Sequence, residues 1–285
     1  MRTVLITGIA GFIGSNLADD LLAAPGCRVI GIDSLAYGVR EQIPEEAEFH
    51  RLDIRSPEIY PLFEGVDYVF HLAAKNCISD CQADPVETAS VNVTGTVNVF
   101  EAAVRAGVRK VIYAESSAMY EASRRLPTPE HEVAPESFYA VSKLASMHFA
   151  LSFARYCGLK STALRYFNVY GPRQDYRRSI PPVISAFIIS HLRGEPPVIY
   201  GTGQKRRDFV HVDDINDFHR LCMDDERTDG RVFNLGAGVN HSVLEINGMV
   251  AELLGSDLEP VFMPDMPGEA RETLADISEA ASVGW

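Results

Sequence analysis

The chain has 285 residues, 46% hydrophobic and 23% charged, the make-up of a soluble globular protein with room for one large α/β domain or one domain with a smaller lobe. Its formal net charge of -13 argues against a nucleic-acid backbone or an anionic membrane as main partner. Five cysteines at no framework spacing read as reduced thiols of a cytoplasmic protein, and no apolar run reaches transmembrane length. No secretory leader is expected, because the sequence enters its first strand directly. Cys77 and Cys81 lack a second pair, so no metal site is expected.

Residues 3–7 are short, apolar and β-branched, the pattern of a buried parallel strand. Gly8, Gly11 and Gly14 follow at once, and a helix pattern begins at Ser15. Strand, glycine-rich turn and helix make a dinucleotide site. Gly8 permits the turn, Gly11 admits a pyrophosphate to the backbone, and Gly14 lets the helix pack on the sheet. The next strand, 28–32, ends in Asp33, 19 residues beyond Gly14. A carboxylate there takes both ribose hydroxyls of an adenosine and repels a 2′-phosphate, which favours NAD over NADP.

Strands at 48–52 and 67–72 lead into Asp53-Ile54 and Ala73-Ala74; the small alanines permit close approach of a ligand. Residues 85–106 read as one long helix closed by Gly107. Within it Asn92 and Asn98 are either buried hydrogen-bonding anchors or solvent-facing. Strand 111–114 is followed by Ser116 and Ser117. A proline-bearing loop, 123–137, leads to a helix that runs to Tyr156, and a strand follows at 160–164. After Pro172 the rhythm changes. An apolar helix opens at 179 and runs through Leu192, then come a strand at 198–200 and a glycine-rich hairpin turn at 201–205. Strand 208–212 precedes Asp213-Asp214, read as the cap of a helix through Asp224. The expected fold is α/β, a Rossmann-type doubly wound parallel sheet with a smaller C-terminal substrate-binding lobe. Residues 1–171, with 207–236 returning to them, form the NAD-binding domain, and 172–206 with 237–285 form the lobe. A helix starting near Ser278 has no room to finish, so the natural chain is expected to extend further.

Tyr139 and Lys143 stand four apart on one helix and so share a face. A tyrosine, with a reference pKa of about 10, is too weak an acid to serve as phenolate base at neutral pH unaided; a lysine ammonium one turn away favours the phenolate. Lys143 can also donate to a nicotinamide ribose. Ser116, at the C-terminal end of a parallel strand, can hold a substrate oxygen beside the tyrosine and relay its proton. No Gly-x-Ser-x-Gly elbow accompanies it, so hydrolase chemistry is unsupported.

With these residues the chain resembles the extended short-chain dehydrogenase/reductase superfamily. Within it, the chain is similar to the NAD-dependent nucleotide-sugar epimerases and dehydratases, most of all the UDP-hexose 4-epimerases. The likeness runs nearly the whole length. It is carried by Thr7-Gly8-x-x-Gly11-Phe12-Ile13-Gly14, His71-Leu72-Ala73-Ala74, Ser116-Ser117-x-x-Tyr120, Tyr139-x-x-Ser142-Lys143, Arg165-x-x-Asn168-x-Tyr170-Gly171-Pro172 and Arg206-Arg207-Asp208-Phe209. The resemblance implies that Ser116, Tyr139 and Lys143 are catalytic. It implies NAD contacts for Gly8, Gly11, Phe12, Ile13 and Gly14, and for Asp33, Asp53 and Ile54 around the adenosine. It implies further cofactor contacts for Leu72, Ala73, Ala74, Lys75 and Asn92, and for Tyr139, Lys143 and Tyr166. Substrate contacts fall to Ser117, Asn168, Tyr200, Arg207, Arg271 and Thr273, with Asn168 and Arg207 on the diphosphate. The alternative for Arg207 is a surface salt bridge with Asp208.

The implied reaction begins when Tyr139, as phenolate, takes the proton of the sugar 4-hydroxyl. The C4 hydride moves to NAD, and the 4-keto sugar turns and accepts it on its other face. Dehydratases of the superfamily place an Asp-Glu pair after the catalytic hydroxyl, whereas Ser117 and Ala118 follow Ser116 here. The expected activity is therefore 4-epimerisation of a UDP-hexose or UDP-N-acetylhexosamine. Dehydration and 4-keto reduction are the alternative reactions, and a nucleotide-sugar sensor or scaffold is the non-enzyme alternative. Three departures stand out: Glu121 for the usual glycine, Phe138 for proline, and Met266, before Gly268-Glu269, for an arginine that grips the diphosphate. Arg271 is the substitute expected to reach the phosphates. Thr273, seven positions beyond Met266, is small where relatives that take N-acetylhexosamines are small. Helices near 88–106 and 138–156 pair across a dimer axis in these families, so a homodimer is expected.

Overall fold

The computed structural model describes residues 1–177, 181–265 and 270–285. In chain order the strands are β1 (Arg2–Thr7), β2 (Cys27–Asp33), β3 (Glu48–Arg51), β4 (Tyr68–His71), β5 (Lys110–Ser116), β6 (Ser161–Tyr166), β7 (Asn168–Tyr170), β8 (Val198–Tyr200), β9 (Arg206–His211), β10 (Val232–Leu235), β11 (Asn240–Ser242) and β12 (Val261–Met263). Seven of them form one parallel sheet in the order β10-β6-β5-β4-β1-β2-β3. The direction of strand addition reverses between β1 and β4. Their C-terminal ends open the crevice where doubly wound sheets take their ligands.

The helices are α1 (Phe12–Ala23), α2 (Ile78–Ala83), α3 (Pro85–Ala89), α4 (Thr96–Ala106), α5 (Phe138–Cys157), α6 (Val183–Arg193), α7 (Val212–Asp224), α8 (Val243–Leu254) and α9 (Ser278–Ser282). The parity of β1 shows why the sheet is covered on both faces. Val4 and Ile6 pack with Leu17 and Leu21 of α1 and Ile215 and Phe218 of α7, whereas Leu5 joins Val99, Phe100 and Ala103 of α4 on the other side. Each such fully buried Val, Leu, Ile or Phe side chain contributes about 1.5–3 kcal/mol. A separate core of Phe187, Ile199, Ile246 and Val250 holds α6, α8 and β8 together. There β12 pairs with β8, while β7, β9 and β11 make a three-stranded sheet.

Several local expectations differ from the structure. The helix expected from 179 opens at Val183, with Pro182 as its cap, and positions 179–180 lie outside the described residues. The 85–106 helix is interrupted by a π turn, Ser90–Gly95, between α3 and α4. Strand β5 continues to Ser116, so Ser116 ends the strand instead of following it. Residues 201–205 turn sharply but make no hairpin, because β8 pairs with β12 and β9 with β7 and β11. The Asp213-Asp214 pair lies inside the first turn of α7, where it still opposes the helix dipole; the cap is His211, whose Nδ1 accepts the Asp213 N–H at 3.3 Å. Helix α2, only six residues long, had no periodic signal.

Candidate active site

The glycine turn is shaped by contact with its neighbours. Gly8 has φ +79°, and a Cβ there would lie 2.8 Å from the Ala73 nitrogen. A Cβ on Gly14 would lie 2.2 Å from the Gly8 carbonyl oxygen, so α1 touches the turn. Gly11 caps α1 without a side chain, and the first turn, with Phe12, Ile13 and Gly14, carries no acid. Its N–H groups and dipole face an anion without competition, which fits a dinucleotide pyrophosphate. Asp33 ends β2. Its Oδ2 accepts the Ala10 N–H at 3.0 Å and its Oδ1 accepts the Leu35 N–H at 2.8 Å. Burial pushes this carboxyl up, and the two N–H groups oppose the shift. Each oxygen keeps capacity for one hydroxyl donor, as the two ribose hydroxyls require.

Both asparagines prove to be anchors. Asn98 Nδ2 donates to the carbonyls of Ile54 (2.7 Å) and Ser56 (3.1 Å), fixing the loop in which Ile54 is buried. Asp53 turns to Arg55, whose guanidinium holds it at 2.6 Å and keeps it below the usual carboxylate range. Asn92 projects from the π turn. Its Oδ1 accepts the Lys75 N–H at 2.8 Å, and its Nδ2 donates to the Lys75 carbonyl and the Ser142 hydroxyl, both at 2.9 Å. It holds the segment Leu72, Ala73, Ala74, Lys75 against α5, and its own polar atoms are spent doing so. Asn92→Ala leaves buried backbone groups of Lys75 unpaired; urea unfolding is expected to show a loss of about 2–3 kcal/mol. His71 completes this floor. Its ring bonds Thr7 Oγ1 at 2.7 Å and Thr96 Oγ1 at 2.8 Å, and burial lowers it to about 3, so it is neutral.

Ser116, Tyr139 and Lys143 converge at the end of β5. Ser116 Oγ accepts the Ala118 N–H at 3.1 Å. Ser137 caps α5, accepting the Ala140 N–H at 3.1 Å. Glu121 takes the Ser137 N–H and hydroxyl at 2.6 and 2.7 Å and the Glu136 N–H at 2.9 Å. The residue that replaces glycine thus clamps the helix start that carries Tyr139. Both Tyr139 and Lys143 are buried. Burial raises the tyrosine to about 12, opposed by the Ser116 hydroxyl, and lowers the lysine to about 8. The expected lysine-driven phenolate is thus not what the protein scaffold alone provides. Desolvation dominates, and the ammonium donates to the Ala114 carbonyl at 3.0 Å, 5.9 Å from the Tyr139 ring centre. Tyr166 lies opposite Ser116 in register, with its hydroxyl paired to His219 at 2.7 Å.

Asn168 on β7 and Asp208 on β9 meet Thr273 from the C-terminal segment. Asn168 Nδ2 donates to the Asp208 carbonyl at 2.9 Å and to Thr273 Oγ1 at 3.4 Å. The Arg271 carbonyl accepts the Arg206 N–H at 3.0 Å, and the Arg271 side chain is exposed. Arg207 Nη1 donates to the Arg206 carbonyl at 2.9 Å. The alternative of an Arg207–Asp208 surface salt bridge fails, because Asp208 is fully buried and accepts the N–H groups of Ala237 (2.6 Å), Gly238 (3.2 Å) and Ala275 (2.9 Å). Its parity with buried Val210 was the signal. Ser117 starts a 3-10 turn beside Ser116, and Tyr200 stands 44% exposed on β8. Met266, Gly268 and Glu269 lie outside the described residues. Two buried groups near the site were given no role: Glu115, hidden beside Ser116 and in no motif, and its partner Arg165, which opens the Arg165-x-x-Asn168 motif.

The profile of the family described as "NAD dependent epimerase/dehydratase family" matches residues 4–236. The chain is 37% identical to a UDP-glucose 4-epimerase of Mycolicibacterium smegmatis, over all of this chain and 93% of the relative. Its fold superposes on a UDP-glucose 4-epimerase of Thermotoga maritima with UDP-glucose, at TM-score 0.95 and 36% identity, covering 100% of this chain and 93% of that one. A UDP-N-acetylglucosamine 4-epimerase of Methanobrevibacter ruminantium, in complex with UDP-N-acetylmuramic acid, gives TM-score 0.95 and 32% identity, covering 100% and 92%. Its sequence, sheet order and glycine cradle agree: the chain belongs to the NAD-dependent epimerase/dehydratase family, and NAD is its cofactor.

Proposed function

We propose that the protein is a UDP-sugar 4-epimerase. One observation carries the reading: Ser116, Tyr139 and Lys143 converge at the C-terminal end of β5, with Ser117 and Ala118 following Ser116 in place of a dehydratase's acid pair. When bound, NAD would supply a reversible acceptor for the sugar C4 hydride. Tyr139 takes the proton of the 4-hydroxyl and returns it, while Ser116 holds that oxygen and relays the proton. Lys143 holds its ammonium beside the tyrosine and donates to the nicotinamide ribose. The 4-keto sugar turns within the site between the two transfers. Asn168, Arg207 and Arg271 hold the diphosphate, Tyr200 lies by the uridine, and Ser117 touches the sugar. Thr273, small and beside Asn168, leaves room for an N-acetyl group, so UDP-GlcNAc and UDP-GalNAc are the favoured pair. Of these residues Tyr200, Arg271 and Thr273 belong to the lobe of 172–206 and 237–285, and Ser117, Asn168 and Arg207 to the NAD-binding domain.

The test is incubation of purified protein, without added cofactor, with UDP-GlcNAc, UDP-glucose and UDP-glucuronate, with products read by NMR. A C4 epimer at unchanged mass supports the reading. A product lighter by one water moves the protein to the dehydratases, and binding without turnover moves it to the scaffolds.

The working form in this reading is a homodimer of the reducing cytoplasm. All five cysteines are free thiols, and among the described residues no helix is long and apolar enough to cross a membrane. Phe138, Val141 and Phe149 of α5, with Ile78 and Val86 on α2 and α3, which pack against α5, leave large apolar side chains exposed. Such faces mark association surfaces. Light scattering is expected to give twice the chain mass, falling to one chain in Phe149→Glu. A single-chain mass for the unaltered protein overturns the dimer.

A further inference from the structure

Directly behind the reacting group lies a buried ion pair that the reaction as described leaves unused. Glu115 stands on β5 between Ala114, whose carbonyl takes the Lys143 ammonium, and Ser116. Opposite it in register on β6 is Arg165, and both side chains are fully buried. Arg165 Nε donates to Glu115 Oε2 at 2.9 Å and Nη1 to the Tyr120 hydroxyl at 2.8 Å, while Nη2 reaches Met147 Sδ at 3.2 Å. Met147 is one turn beyond Lys143 on α5, so the pair lies beneath the helix that carries the lysine. Glu115 Oε1 has no hydrogen-bond partner among the described residues. A buried ion pair adds little net stability over a well-packed apolar pair, so stability does not account for this one. A carboxylate with an open oxygen in a low-dielectric interior does act strongly on a neighbouring charge.

We infer that Glu115 is a positioning residue: locked by Arg165 to β6 and Tyr120, its carboxylate is the fixed counter-charge of the Lys143 ammonium. The inference rests on the catalytic assignment of Lys143 above. The groups around Lys143 single Glu115 out. Tyr139 faces the lysine from its own helix, Cys81 from α2 and His71 from β4. Burial raises Tyr139 and Cys81 and lowers His71, so all three are neutral at pH 7. Glu115, paired to the Arg165 guanidinium at 2.9 Å, is the carboxyl group of the set. It is itself faced by Arg165, Tyr113, Tyr120 and His148; burial pushes it up and Arg165 draws it back. Burial drives Lys143 down, and Glu115 is the largest opposing influence.

Glu115→Gln keeps the shape and an acceptor for Arg165 but removes the charge. The chain has five lysines, so the 13C signal of the Lys143 Cε can be followed against pH in the NAD-loaded protein. The Lys143 midpoint is expected to fall by about one pH unit or more, with the alkaline limb of kcat moving alike. Glu115→Asp is expected to keep the original midpoint. An unmoved midpoint in Glu115→Gln overturns the inference. Should that variant fail to fold, the neutral pair Glu115→Gln with Arg165→Met gives the same decision. Absence of epimerisation by the unaltered protein would sink the functional reading, whereas the Lys143 midpoint judges Glu115 independently.

Discussion

Tyr139→Phe is expected to lower kcat for epimerisation by about a thousandfold while the protein stays folded and keeps its NAD. The change removes one oxygen from a buried ring and leaves the ring's packing in place. No other side chain can take over. Ser116 is an alcohol far too weak as a base, and its oxygen already accepts the Ala118 N–H. Lys143 donates to the Ala114 carbonyl and faces the ring from 5.9 Å. Burial holds the unaided tyrosine near 12, so its role as base depends on charge brought in beside it; Phe removes that response altogether. The measurement is epimer formation by NMR, alongside the absorbance of bound NAD. Turnover within tenfold of the unaltered enzyme would remove Tyr139 as the base.

Gly14→Ala is expected to cost about 3 kcal/mol of stability and to abolish tight NAD binding. The new Cβ would stand 2.2 Å from the Gly8 oxygen, 2.9 Å from the Gly8 carbonyl carbon and 3.0 Å from the Ile9 Cα, all backbone atoms. Nothing there can swing aside. Either α1 lifts from the turn, withdrawing its N–H groups from the pyrophosphate, or the turn shifts towards Ala73, where Gly8 already has no room for a Cβ. Gly248→Ala on α8 is the control. Nothing lies within 4 Å of its added Cβ, and a helical alanine there is expected to stabilise by about 0.5–1 kcal/mol. Urea unfolding and titration with NAD separate the two variants. A Gly14→Ala protein as stable as the control, with unchanged NAD affinity, would mean that the turn and helix are not in contact.

Much of this was legible because it is written locally. Strands buried on both faces read as short apolar runs, and β1, β2 and β4 sit where those runs predict, to within a residue at either end. The glycine spacing and Asp33 report one turn and the strand beside it. Tyr139 and Lys143 share a helix, so spacing alone put them on one face. Contacts between distant segments were another matter. Asn92 and Asn98 could not be assigned, because their partners at Lys75, Ser142, Ile54 and Ser56 lie on other elements. The 201–205 turn looked like a hairpin because pairing with β12, some sixty residues on, leaves no mark near the turn. Glu115 was invisible as a site residue because a charge on a buried strand declares itself only once Arg165 of the next strand is beside it. For Tyr139 and Lys143, charge alone predicts an easy phenolate, and burial reverses the balance.

The π turn at Ser90–Gly95 makes the chain's length here as consequential as its composition. A π turn holds one residue more than an α turn, and each helical residue rotates the remainder of its helix by about 100°. Excising one residue from this segment would leave a sequence that reads as an unbroken helix. It would also turn the Val99, Phe100 and Ala103 stripe of α4 away from the sheet and draw Asn98 off the Ile54 loop while Asn92 stayed on Lys75. Substitutions on the exposed positions of the same segment carry no such rotation. At the exposed positions between β4 and β5, then, changes of residue are expected to be tolerated far more readily than changes of count.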